Sequence, residues 1–267
     1  MASRMPELPE VEYAAGRFRQ AALGRTIASV AALHPSAARS LPAAACRRLA
    51  GRQITEIARR AKIQLVTLDD GQLIEVHFRM TGDWDIGHAA DAAPAYERVR
   101  IECTDGTRVS LVDSRAFGIV RVHAPGDFVL PELGPEPLEH GFTVKGFATQ
   151  LASRRGPIKP ALLDQTLVAG VGNIYAAEAL WVANIHPTRV AASLSHTRVT
   201  LLRDAIREVL HAAPVGRYYA ASDDVRTDED AWRVYGREGE PCTRCGRPIK
   251  RITQAGRSTF YCGGCQR

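Results

Sequence analysis

Apolar and polar positions change their spacing about halfway along the chain. Residues 10–22 carry apolar side chains at helical spacing, with Pro9 at the entry and Glu10 and Glu12 near the positive end, so a helix is expected there. From there to about residue 123 the apolar runs are short and β-rich. They cover 27–33, 52–58, 62–68, 72–78, 97–103, 107–112 and 118–123, punctuated by Asp-Asp-Gly and Asp-Gly turns. Residues 42–49 read as a short helix. This pattern predicts a β-sandwich or barrel-like N-terminal region. Leu133-Gly134-Pro135-Glu136-Pro137-Leu138 has no periodicity and reads as a linker. Beyond it the period becomes helical, over about 143–153, 158–164, 173–183 and 194–212. Residues 215–230 are polar and read as an exposed mobile loop. The domain boundaries expected are 5–132 for the β-region, 133–142 for the linker, 143–240 for the helical region and 241–267 for a terminal module.

That terminal module carries the clearest chemistry. Cys242 and Cys245 form one C-x2-C pair, Cys262 and Cys265 a second, and 16 residues separate the pairs. Each pair supplies two thiolates from one tight turn, which suits one tetrahedral structural Zn2+. Four thiolates leave no open coordination position, so the metal is expected to hold the fold and not to catalyse. From Pro241 to Arg267 the segment carries Arg244, Arg247, Lys250, Arg251, Arg257 and Arg267 and no acidic residue.

Charge sharpens this picture. The 267 residues carry a net charge of +6, and residues 1–150 are balanced, so the excess lies in the C-terminal part. A basic surface on a metal-pinned loop points to a polyanion such as nucleic acid. Cys46 and Cys103 are isolated in apolar or mixed segments and are expected to be buried thiols. Residues 1–12 lack the apolar core of a signal peptide, and no apolar run approaches the roughly 20 residues needed to span a bilayer. A soluble cytoplasmic monomer in a reducing compartment, reaching the nucleoid through DNA, is expected.

The turn from Asp164 to Tyr175 sits between two helices. Gly170 and Gly172 permit close turns, Asn173 is placed to cap the second helix, and exposed amides there would suit a phosphate. Taken with five other ordered motifs, this turn makes the chain resemble the bacterial formamidopyrimidine-DNA glycosylase and endonuclease VIII family. The others are Met5-Pro6-Glu7-Leu8-Pro9-Glu10-Val11-Glu12, Arg59-Arg60-Ala61-Lys62, His77-Phe78-Arg79-Met80-Thr81-Gly82, Arg115-Ala116-Phe117-Gly118 and Arg257-Ser258-Thr259-Phe260-Tyr261-Cys262.

The resemblance implies an α+β fold. It comprises an N-terminal β-sandwich with flanking helices, and a C-terminal helical domain with a helix–two-turns–helix motif and a zinc-finger β-hairpin. It implies a base-excision repair glycosylase with lyase activity, acting on double-stranded DNA that contains oxidised bases or abasic sites. Pro6 matches the family's nucleophile, Glu7 its acid/base, and Lys62 a lysine beside the lesion phosphate. His77, Lys159, Asn173 and Arg257 match phosphate ligands. Met80, Arg115 and Phe117 match the residues that fill the stack when a base is flipped. The residues themselves leave other readings open: Pro6-Glu7 as a helix entry, Met80 and Phe117 as core.

Two departures stand out. Met1-Ala2-Ser3-Arg4 precede Met5, and Pro6 can act as a neutral amine only if translation starts at Met5 and that methionine is removed, which is the expected case. Purine-lesion members carry a Gly-Gly-Thr/Ser-Thr stretch in the lesion-capping loop, where this chain has Val215-Gly216-Arg217-Tyr218-Tyr219-Ala220. Oxidised pyrimidines thus stay open as substrates beside formamidopyrimidine and 8-oxoguanine. A damage-binding protein without cutting activity is the non-enzymatic alternative.

Overall fold

The computed structural model describes residues 5–214 and 232–267. The loop expected over 215–230, the capping-loop residues Val215–Ala220 and the four residues ahead of Met5 lie outside the described residues. The chain divides into two compact units: one holds Pro6 and Glu10–Pro131, the other Glu7–Pro9 and Glu132–Arg267.

The first unit is a β-sandwich with helices α1 (Leu8–Ala22, belonging to it from Glu10 onward), α2 (Pro35–Ser40) and α3 (Ala43–Leu49). Its strands are β1 (Ile27–Ala32), β2 (Ile54–Arg60), β3 (Ile63–Leu68), β4 (Leu73–His77), β5 (Gly82–His88), β6 (Glu97–Cys103), β7 (Thr107–Asp113) and β8 (Ile119–His123). They form two antiparallel four-stranded sheets, in the orders β1-β6-β7-β5 and β2-β3-β4-β8. Alternate residues of each strand turn inward: Val99 and Ile101 on β6, Val109 and Leu111 on β7, Ile74 and Val76 on β4. Phe18 of α1 and Phe78 meet Trp84 edge-to-face, at 4.9 and 5.5 Å. The Trp84 indole N–H donates to Gln64 Oε1 at 2.8 Å, so the largest core side chain carries no unpaired donor. Cys46 and Cys103 are buried, as expected.

Two elements escaped the sequence pattern. Strand β5 contains two aspartates and two glycines in seven residues, a composition that opposes strand formation. Tertiary partners override it: Arg17 reaches Asp83 at 2.6 Å and Arg108 reaches Asp85 at 3.1 Å, while Trp84 enters the core. Helix α2 is one turn and a half, started by His34, whose Nδ1 accepts from the Ser36 amide.

The second unit contains α4 (Val144–Ala152), α5 (Ile158–Leu163), α6 (Asn173–Val182), α7 (His196–His211) and the hairpin of β9 (Lys250–Gln254) and β10 (Arg257–Tyr261). Thr143 and Ser195 cap α4 and α7. Two turns separate α5 from α6, braced by Gln165, whose amide bonds the Val171 carbonyl and the Gly170 N–H. Helix α6 is central, buried from Ile174 to Trp181. Its one acidic residue, Glu178, is buried and accepts from the backbone N–H groups of Arg233, Val234 and Tyr235, each at 2.9 Å. Burial pushes this carboxyl's pKa upward against those donors. Among the described residues no helix is long and apolar enough to cross a membrane.

Replacing Glu178 with alanine leaves three backbone donors unpaired, one buried and two part-buried, at about 1–3 kcal/mol each. Glu178→Ala should therefore lower the unfolding free energy by about 3 kcal/mol or more. Urea denaturation checks this, and a loss under about 1 kcal/mol would contradict it.

Candidate active site and nucleic-acid interface

In the first unit, strand register gathers the expected residues at one end of the sandwich. Ile63 of β3 pairs with His77 of β4, and His77 with Ile119 of β8. Asp113 of β7 pairs with Gly82 of β5. The β2–β3 turn holding Lys62, the 78–81 segment holding Met80 and the 114–118 segment holding Arg115 and Phe117 therefore share that end. The two longer segments each cross from one sheet to the other.

Phe117 is 51% exposed and Arg115 lies over its ring at 4.9 Å, so neither belongs to the core. Met80 is half-buried, whereas its neighbour Phe78 is the core residue of that segment. The His77 ring accepts from the Arg79 amide at Nδ1, which leaves Nε2 to carry the proton. Burial, with Arg79 and Lys62 nearby, pushes its pKa down to about 4. At neutral pH it is a neutral donor beside two cations.

In the second unit, the N-terminus of α6 already holds an anion. The Glu7 carboxylate is buried and accepts from the amides of Gly172 at 2.7 Å, Ile174 at 2.8 Å and Tyr175 at 3.4 Å. These amides, read from the sequence as a phosphate site, are occupied by the chain's own acid. Asn173 is not the cap either. Gly172 takes that position, and Asn173 is the first helical residue. Its side chain accepts from Lys159 Nζ at 2.5 Å and donates to the Ser258 carbonyl at 3.1 Å.

Lys159 differs from expectation. It is 1% exposed, and its ammonium donates to Asn173 Oδ1, the Ser258 carbonyl at 3.0 Å and Thr259 Oγ1 at 2.8 Å. Burial lowers its pKa to about 8 although Glu7 works the other way. Its three donors are spent inside, so it braces Asn173 and the hairpin rather than meeting a phosphate directly. Arg257 stands exposed just past the hairpin turn, where Ala255 and Gly256 both take positive φ.

The four cysteines converge. Thiolates about 2.3 Å from a tetrahedral zinc lie about 3.8 Å apart. Here Cys245 and Cys262 are 3.4 Å apart, Cys242 and Cys265 3.9 Å, and all four sulfurs lie within 4.8 Å of one another. The donor set fits one structural zinc. The module packs on α6 through Trp181, Ala177, Ile249 and Cys262, and Arg244 stacks on Trp181 at 3.6 Å.

Sequence reasoning missed two groups: Asp113, whose carboxylate accepts from the backbone of the 114–118 segment, and Glu178. The Asp113-Ser114-Arg115 order, an Asx-turn signal, could have revealed the first. Nothing local marks Glu178, because its partners lie 55 or more residues away.

Comparison with known proteins covers almost the whole chain. Residues 5–120 match the model of the formamidopyrimidine-DNA glycosylase N-terminal domain, 133–217 that of the formamidopyrimidine-DNA glycosylase H2TH domain, and 239–267 that of a zinc finger found in FPG and IleRS. A formamidopyrimidine-DNA glycosylase of Gluconobacter oxydans is 42% identical, over 98% of this chain and all of its own length. The Lactococcus lactis enzyme bound to DNA with an AP site superimposes with a TM-score of 0.86 at 33% identity, covering 98% of this chain and 99% of that one. Its complex with DNA containing FAPY-dG has a TM-score of 0.86 and 33% identity, covering 98% of this chain and all of that one. With both halves and the finger matched in order, and a full-length relative above 40% identity, the chain belongs to the formamidopyrimidine-DNA glycosylase family.

Proposed function

We propose that this protein is a base-excision repair DNA glycosylase with AP lyase activity, which removes formamidopyrimidine and 8-oxoguanine-type bases from double-stranded DNA. The observation that carries the reading is the buried Glu7 carboxylate, fixed by amides of α6 and directly following Pro6 in sequence. Relatives bind DNA containing an AP site or FAPY-dG, and this chain matches them from end to end.

Pro6, as a free secondary amine, attacks C1′ of the damaged nucleotide. The C1′–N bond breaks and the base leaves with the amine's proton; the C1′–O4′ bond then opens as O4′ takes a proton from Glu7, and an iminium joins Pro6 to C1′. Glu7 moves protons to and from the sugar, held in one orientation by its amide donors. Loss of the C2′ proton then expels the 3′ phosphate, and a second elimination expels the 5′ phosphate. Lys62 and His77 in the first unit, and Asn173 and Arg257 in the second, grip phosphates. Lys159 holds Asn173 and the hairpin in place. Met80, Arg115 and Phe117 fill the stack behind the flipped base, a step worth a few kcal/mol. Zinc on Cys242, Cys245, Cys262 and Cys265 keeps the finger folded and supplies no reacting group. The protein works in the cytoplasm, at the nucleoid.

Protein beginning at Pro6 should form a covalent adduct with abasic DNA on borohydride reduction. Protein retaining Met1–Arg4 should not, because its Pro6 nitrogen is an amide. In the Pro6 form, Glu7→Gln should bind lesion DNA and fail to release the base. Equal trapping by the extended form would remove Pro6 from the mechanism, and no trapping by either would leave a damage-binding protein. Metal analysis should find one zinc per chain, and Cys262→Ser should lose it together with protease resistance of residues 241–267. Zinc-free protein with an intact finger would contradict the metal assignment.

A further inference from the structure

Asp113 is 1% exposed, and its carboxylate is turned onto two loops. It is the last residue of β7, opposite Gly82, the first of β5. Its own backbone is held from β6 and the segment before it: its N–H donates to the Tyr96 carbonyl at 3.0 Å, and its carbonyl accepts from Arg98 Nε at 2.7 Å. The carboxylate is thus a fixed point at the sandwich end.

Both crossing segments bond to it. Oδ2 accepts from the amides of Phe117 and Gly118, each at 2.7 Å. Oδ1 accepts from the Arg115 amide at 3.1 Å and from the Thr81 hydroxyl. Thr81 also accepts from the Arg115 amide at 3.3 Å, so the segments touch each other through the same hydroxyl. Thr81 directly follows Met80. The approach is close at Gly118, where an added Cβ would lie 3.2 Å from Oδ2. Ala116 is held at φ +56°, a left-handed conformation that alanine leaves unless its neighbours fix it.

We propose that Asp113 is the positioning residue of the stacking wedge: one buried carboxylate sets Met80, Arg115 and Phe117 in a single arrangement before DNA arrives. This rests on the reading of those three side chains as the wedge. A wedge on two independent loops would have to order both while the base is unstacking. A pre-set one enters as a unit, so Asp113 should matter for extruding a paired base and little once no base is there to extrude.

A double-mutant cycle on the Pro6 form tests this, with wild type, Asp113→Asn, Phe117→Ala and the double variant. Single-turnover excision from a paired lesion, elimination at a pre-formed abasic site and thermal midpoints are measured for each. Asparagine keeps the volume but points an NH2 group at backbone donors. Asp113→Asn should slow excision about 10- to 100-fold, the loss that misplacement of an aligned group produces. Elimination at the abasic site should fall by much less. The double variant should be within about twofold of the slower single variant, because both changes disable one device. Thr81→Val, which leaves Asp113 intact, should lower excision in the same direction and guards against a folding defect.

Equal losses on both substrates that follow the thermal midpoint would make Asp113 a purely structural residue and overturn the proposal. So would multiplied losses in the double variant, or wild-type excision by Asp113→Asn while Phe117→Ala is slow. Normal excision by Phe117→Ala would instead remove the wedge reading, and this proposal with it.

Discussion

The contact between Glu7 and the N-terminus of α6 constrains the second unit more than any other. A buried carboxylate must be paired, and backbone donors at a helix start pair it without adding a countercharge. Charge-assisted bonds of this kind contribute about 1.5–3 kcal/mol each. The neighbouring sequence follows from that requirement. Gly172 must be glycine, because a Cβ there would fall 2.4 Å from Glu7 Cδ. Gly170 must allow Leu8 to lie against it, and its carbonyl takes the Leu8 N–H at 3.1 Å. Leu8 then enters the helical core with Ile174 and Tyr175. One residue past Gly172, Asn173 starts the chain of bonds through Lys159 to the zinc hairpin that presents Arg257. Glu7, Asn173 and the finger are thus placed by one helix end.

In the first unit the comparable constraint is strand register. A slip of one residue would turn every core side chain outward, so register is fixed by burial alone. Fixed register then fixes which loops share an end. Lys62, His77, Met80, Arg115 and Phe117 are scattered over 56 positions of sequence, yet the pairs Ile63–His77, His77–Ile119 and Gly82–Asp113 bring their segments together. These candidate groups sit at strand ends and on loops whose placement is decided by an apolar core.

Much of this was legible before any coordinates. The short β-rich runs between turn residues gave seven of the eight sandwich strands, because strands that bury one face are built from β-branched and apolar residues. The paired cysteines announced a tetrahedral site through spacing alone. The β5 strand was hidden because its aspartates are neutralised by Arg17 and Arg108, from elsewhere in the chain. The helix-start amides were read as suited to a phosphate, but they hold Glu7, 165 residues away in sequence. Lys159 was matched to a phosphate ligand through the resemblance; its burial and its three interior acceptors could not be read from the sequence. Long-range pairing of a single polar group leaves no periodic trace, and that is the class of feature sequence patterns miss.

The central claim is that α6 holds Glu7 in its working orientation. Gly172→Ala tests it most directly, since the added methyl displaces the carboxylate without touching the acid or any residue read as binding DNA. Single-turnover excision of a lesion base by Gly172→Ala, measured on the Pro6 form beside its affinity for the same duplex, should show base release falling by about two orders of magnitude, as general acid–base loss does, with binding retained. Excision at the wild-type rate by a folded Gly172→Ala protein would contradict the account.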